Sequence, residues 1–359
     1  MLSSVSTTLV CDNVHQLYVA WALGSLGAWP ARIRTVISVG GGLLAERAAE
    51  VAARSGWRHV HVTCPSSFVG QLARSLALLV RPPDTLRLAI AGTRALVVFN
   101  DTHPCTVQIR GRCRQARVSL VEEGTGLHRT RPFERGRRWL ARVFAPALNA
   151  SGRQGEARWV DELWVSQIGS LTPAQRLKRI ETFDRTAVVA EIRRGWSTVP
   201  AMPRDARPVL LLLGQPFVED QVLTRSQAGA MFDAVAAALP KGIDGRMVLA
   251  YKPHPREQRP GPTSASMLGP SAIVLDQHVP LEAMDFGERR LFVLSFTSGA
   301  MRGLAGAWHC VSVAGCFPAL AREIGETSMF PGLTFLGDLG QLPRELEAFL
   351  ARATRENHT

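Results

Sequence analysis

At 359 residues the chain exceeds one ordinary core and suits two domains of roughly 150 to 200 residues each. Hydrophobic residues at 46% and charged residues at 20% exclude a disordered polypeptide except at the tail, and no apolar run reaches the ~18 residues that a bilayer crossing takes. The formal charge of +12 calls for an anionic partner, whether nucleic acid, membrane surface or acidic substrate, although an arginine-rich coding bias yields the same total.

The opening MLSSVSTTLV lacks the basic flank of a signal peptide, which predicts a cytoplasmic protein. Strand-length apolar runs follow at Thr8–Cys11, Arg34–Val39, His59–Thr63, Ala95–Phe99, Ala116–Val121 and Glu162–Ser166, with an amphipathic helix predicted over Leu43–Arg54. A second series runs through Val209–Leu213, Met247–Tyr251, Ala272–Leu275, Leu291–Leu294 and Cys310–Val313, with helices predicted at Arg225–Ala238, Gly299–Ala305 and Pro318–Ile324. Between the two, Ser197–Pro208 carries three prolines and reads as a linker. The pattern predicts an α/β chain with domains at 1–200 and 201–359, two Rossmann-like units facing each other across a cleft, the architecture called GT-B. Fold alone assigns no chemistry. Six cysteines without a CxxC pair or a disulfide-like rhythm read as free, mostly buried thiols.

Three segments carry chemistry, each at the carboxyl end of a predicted strand, where parallel sheets bind ligands. Val118–Val121 runs into Glu122-Glu123-Gly124, a pair of carboxylates of which one, desolvated beside a second charge, can act as a general base; an acidic surface turn is the plainer alternative. Tyr251-Lys252-Pro253-His254-Pro255-Arg256 holds a histidine on a stiff backbone between two prolines, flanked by cations suited to phosphate, or forms a basic turn with a structural histidine. Ser295-Phe296-Thr297-Ser298-Gly299 leads into a helix whose first N–H groups and hydroxyls suit phosphate, or are an ordinary N-cap.

In this order the three motifs resemble those of bacterial GT-B sialyltransferases. Leu9-Val-Cys-Asp-Asn-Val-His-Gln16-Leu17, Leu211-Leu-Leu-Gly-Gln215-Pro216 and the Tyr251–Arg256 string are similar to the lipooligosaccharide sialyltransferase and capsular polysialyltransferase branch, over about residues 5–315. The resemblance implies an inverting transfer of sialic acid, or a related nonulosonic acid, from its CMP ester to a hydroxyl of a surface glycan or glycolipid. It implies a base at Glu122 or Glu123, with the first position preferred, and His254 as the phosphate contact that assists departure of CMP. It further implies a donor site of Lys252, His254, Pro255, Ser295, Thr297, Ser298 and Gln215, with Glu282 of Pro280-Leu281-Glu282 on the ribose, unless that glutamate is an exposed acid in a helix's first turn. No cofactor and no metal are expected, since a single phosphate leaves and the chain has no Asp-x-Asp motif. Kdo or deaminated neuraminic acid as the CMP-activated sugar, or an NDP-sugar donor, are the alternatives within the architecture.

The turn Val39-Gly40-Gly41-Gly42 lacks dinucleotide-loop spacing and reads as a tight strand-to-helix connection. His103, His128 and His309 lack partners at metal-ligand spacing. After the acidic motif, Arg129, Arg131, Arg135, Arg137, Arg138 and Arg142 fall within fourteen residues, interleaved with aromatics, suited to an anionic acceptor, to peripheral membrane contact or to a solvated helix. A basic nucleic-acid-binding protein is the non-enzyme alternative, but aromatic content is 7% and no recognition motif is present, so no nucleic-acid partner is expected.

Overall fold

The computed structural model describes residues 6–29, 32–65, 68–123, 127, 153–169, 171–203, 206–219, 222–257, 268–296, 300–304, 308–318, 320 and 332–356. The chain divides into two compact units, Met1–Trp196 and Ser197–Thr359.

The first unit holds a seven-stranded, all-parallel sheet of β1 (Thr7–Cys11), β2 (Ile33–Gly40), β3 (Arg58–Thr63), β4 (Ala95–Val98), β5 (Arg117–Val121), β6 (Glu162–Val165) and β7 (Arg179–Thr182) in the order β3-β2-β1-β4-β5-β6-β7. The described crossovers from β1 to β5 are helical, the usual way to join parallel neighbours. They include Val14–Ser25, Gly42–Ser55, Phe68–Val80 and Pro104–Arg112, and helix Arg185–Trp196 closes the unit. The glycine turn behaves as read: β2 ends at Gly40, Gly41 is the N-cap, and Gly42 opens the next helix.

The second unit repeats the plan with six parallel strands, β8 (Val209–Leu213), β9 (Val248–Lys252), β10 (Ile273–Val274), β11 (Leu291–Ser295), β12 (His309–Ser312) and β13 (Leu333–Phe335), in the order β10-β9-β8-β11-β12-β13. All five residues of β8 are buried, the mark of a central strand covered on both faces, and each buried leucine contributes about 1.5–3 kcal/mol relative to exposure. The proline-rich stretch makes one isolated bridge, Thr198 to Met284, with Thr198 N–H donating to Ala283 O at 2.8 Å.

Helix Leu342–Glu356 packs Leu342, Leu346, Phe349 and Leu350, which fall on one stripe, into the second unit's core. One expectation is corrected. Residues 273–274 alone form β10, a short edge strand, where four residues were expected. The predicted helix at 318–324 lies largely outside the described residues.

Candidate active site at the carboxyl ends of two parallel sheets

In the first unit β5 delivers Glu122 and Glu123 at its carboxyl end, with β4 between it and β1. The two side chains part there. Glu122 is 1% exposed: its carboxylate accepts Ser166 N–H at 2.7 Å and Ser166 Oγ–H at 2.9 Å, and pairs with Arg185 at 3.3 Å. It ties the ends of β5 and β6 to helix Arg185–Trp196.

Glu123 is half-buried and faces the turn after β1. Asn13 Nδ2 donates to its Oε1 at 2.6 Å and Gln16 Nε2 to its Oε2 at 2.5 Å, while the same two amides donate to Asp12 Oδ1 at 3.2 and 2.6 Å. Both hydrogens of each amide are thus shared between two carboxylates. Burial, then the Asp12 charge, raise the Glu123 pKa; His15 and the two amide donors oppose them. A carboxyl group of raised proton affinity, held by neutral donors, has the electrostatics of a general base. Glu122 differs in that its oxygens face Ser166 and the Arg185 cation, whereas the donors on Glu123 are neutral amides.

Asp12, Asn13 and Gln16 carried no role in the sequence reading, yet their signal was present. Asn13 caps helix Val14–Ser25 by accepting Gln16 N–H at 2.9 Å, and Gln16 Oε1 accepts Asp12 N–H at 2.7 Å. A strand followed by Asp-Asn and a glutamine at the third helical position is a capping pattern placed at a ligand edge.

In the second unit the His-Pro segment follows β9 and is locked by two side chains. Glu257, buried, accepts His254 N–H at 3.0 Å and Tyr251 O–H at 2.6 Å. Gln277 Nε2 donates to the carbonyls of His254, Pro255 and Glu257 at 2.7–3.1 Å. Gly214, just past β8, has no room for a Cβ, which would collide with the Glu257 carboxylate and the Tyr251 hydroxyl.

His254 Nδ1 accepts Arg256 N–H at 3.1 Å, so the neutral ring carries its proton on Nε2. Burial, with Arg256 and Lys252 nearby, lowers its pKa to about 3. Lys252 is buried and donates to the carbonyls of Pro253 and Gln277 at 3.2 and 3.0 Å; burial lowers its pKa to about 8 against the pull of Asp276, Glu282 and Glu257. Glu282 is 3% exposed on a short 3-10 turn, Leu281–Ala283, so the alternative of an exposed first-turn acid is corrected. Ser295 ends β11 fully buried, Gln215 is half-buried after β8, and Pro255 is exposed. Thr297, Ser298, Arg129, Arg131, Arg137 and Arg138 lie outside the described residues.

A cavity of about 660 Å³ opens elsewhere, at the amino ends of β4 and β5, lined by Arg87, Gly92, Thr93, Arg112 and Arg114 among others. It is at the opposite sheet edge from Glu123. Among the described residues no group of three or more His, Cys, Asp or Glu side chains is arranged to hold a metal, and no helix is long and apolar enough to cross a membrane.

No protein-family model and no curated protein matches the sequence. Solved structures do match in fold. The UDP-GlcNAc 2-epimerase from Methanocaldococcus jannaschii aligns at 11% identity over 96% of this chain and 92% of that one, with a TM-score of 0.52. A UDP-N-acetylglucosamine 2-epimerase structure aligns at 12% over 98% and 91%, with a TM-score of 0.54. Spinosyn forosaminyltransferase aligns at 12% over 98% and 91%, with a TM-score of 0.51. The fold is GT-B. At these identities the likeness extends to two parallel-sheet Rossmann-like domains over nearly the whole chain, and to fold alone.

Proposed function

We propose that the chain is a glycosyltransferase that moves a sugar from a nucleotide donor to a glycan hydroxyl, with Glu123 as the base. The observation that carries this is the Glu123 carboxylate at the end of β5, its proton affinity raised and its orientation set by Asn13 and Gln16. In this reading Glu123 takes the acceptor hydroxyl proton, the freed oxygen attacks the anomeric carbon, and the bond to the donor phosphate breaks with inversion. The neutral His254, its proton fixed on Nε2 by the Arg256 N–H on Nδ1, donates to the leaving phosphate as charge develops there. Lys252 and Glu282 support the nucleotide side, Glu282 as a ribose acceptor. Thr297 and Ser298 remain part of the proposed phosphate site by motif, as do Arg129, Arg131, Arg137 and Arg138 of an anionic acceptor or membrane contact.

The finer proposal is a CMP-activated sugar acid as donor, supported by the ordered Glu-Glu-Gly, His-Pro and Ser/Thr motifs. A nucleoside-diphosphate sugar is the second reading, favoured by the UDP-sugar named for the epimerases of similar fold. Thermal stabilisation by CMP, CDP, UDP and GDP separates them. Selective stabilisation by CMP supports the sugar-acid donor, selective stabilisation by UDP or GDP supports the diphosphate donor, and no response to any nucleotide contradicts the transferase itself.

A further inference from the structure

Cys64 and Cys105 lie on the carboxyl edge of the first sheet, apart from the machinery proposed for sugar transfer. Cys64 immediately follows β3, its N–H donating to Gly40 O at 3.0 Å, and Cys105 is the second residue of helix Pro104–Arg112. Their sulfurs are 3.6 Å apart, 41 residues apart in the chain. A disulfide needs the sulfurs at about 2.05 Å, so closing the pair takes a movement of roughly 1.5 Å. No intervening group separates them, since the contact is itself a thiol hydrogen bond.

The surroundings of the two sulfurs are unequal. His103, the N-cap of the helix, and Arg74 both favour the charged form of the Cys64 sulfur. The Cys105 hydrogen bond, then His103 and Arg74, push the Cys64 thiol down toward its thiolate, whereas Cys105 is pushed up. Cys64 is 8% exposed and Cys105 is 0% exposed, so a small reagent reaches Cys64 first. All six cysteines are free; Cys11, Cys113 and Cys310 are buried, with their thiols pushed up by burial.

We propose that Cys64 and Cys105 form a peroxide-sensing dithiol, in which Cys64 is the attacking sulfur and Cys105 the resolving one. The Cys64 thiolate attacks the outer oxygen of a hydroperoxide, the O–O bond breaks, and the departing oxygen takes up a proton as water or an alcohol. Cys64 is left as sulfenic acid. Cys105 sulfur then attacks Cys64 sulfur, the S–O bond breaks, and the Cys105 proton leaves with the hydroxyl as water. Two thiols lose two electrons and the peroxide gains them.

The test is peroxide treatment of the intact chain under native conditions, followed by alkylation and peptide mapping. The expected product is a thiol-reducible cross-link between the peptides of Cys64 and Cys105, and, before oxidation, alkylation of Cys64 at neutral pH at least about tenfold faster than of Cys113, which is 5% exposed. In Cys105→Ala, Cys64 should stop as a sulfenic acid trapped by a dimedone probe. Recovery of Cys64 and Cys105 as free thiols after treatment, or alkylation of Cys113 as fast as Cys64, would overturn the proposal without needing any variant to fold.

Discussion

Glu122 and Glu123 are adjacent in sequence and opposite in surroundings, so the same isosteric change at each should fail in different ways. Glu123→Gln keeps the acceptor at one oxygen but removes the proposed base, and turnover should fall by about 10²–10⁴ with nucleotide binding retained. Glu122→Gln leaves Arg185, whose side chain is 12% exposed, facing a neutral amide; breaking this buried pair should cost about 3 kcal/mol in denaturant unfolding. The pair of variants is read by kcat for one and unfolding free energy for the other. As the proposed base, Glu123 works only when deprotonated, so activity should fall with decreasing pH at a point above the ordinary carboxylate range.

Asp101 provides a second residue-level test. It is fully buried, accepts Gly155 N–H at 3.0 Å and Ala157 N–H at 3.2 Å, and burial raises its pKa from 3.8 to about 6. A raised acid binds its proton more tightly in the folded state, so this group's contribution to stability rises as pH falls from above 6 toward 4. The difference amounts to about 3 kcal/mol between the charged and protonated limits. Wild type should therefore gain stability relative to Asp101→Asn between pH 7 and pH 5; parallel curves for the two proteins would contradict the assignment.

Among elements, helix Arg185–Trp196 is joined to helix Val14–Ser25 by Trp196, which stacks on Tyr18 with ring centroids 5.0 Å apart and meets Trp21 edge-on at 5.7 Å. Arg54 lies over the Trp196 ring at 4.3 Å. Gly195 has no room for a Cβ beside Trp21. Alanine ordinarily favours a helix by about 1 kcal/mol over glycine, but Gly195→Ala should destabilise by about 1–3 kcal/mol through overpacking. A melting temperature unchanged or raised would show that Trp21 gives way.

The same elements show what sequence could and could not reveal. Val209–Leu213 was bounded correctly because a buried central strand is a continuous apolar run. Arg179–Thr182 was missed because RIET, at the sheet's edge, has no apolar pattern to read. Helix Val14–Ser25 was missed for another reason: Leu17, Tyr18, Val19, Ala20, Ala22 and Leu23 are all buried, so no polar face marks the helical period. At the site, Glu123, His254 and Lys252 were visible as motif residues at strand ends. The hydrogen bonds that distinguish Glu123 from Glu122, and the hold of Gln277 on the His-Pro loop, depend on pairings 20 to 110 residues apart in the chain.

For the whole molecule, two parallel sheets of Rossmann type account for the fold, and the excess charge of +12 suits an acidic sugar or phosphate ligand. The proposed transfer needs both the Glu123 carboxylate and a nucleotide-sugar donor. Nucleotide release from a panel of CMP-sugar acids and UDP- or GDP-sugars, with and without glycan acceptors, tests it most directly when wild type and Glu123→Gln are compared. The account predicts acceptor-dependent release of one nucleotide class by wild type and its loss in the variant; wild-type turnover retained by Glu123→Gln, or no release from any donor, would contradict it.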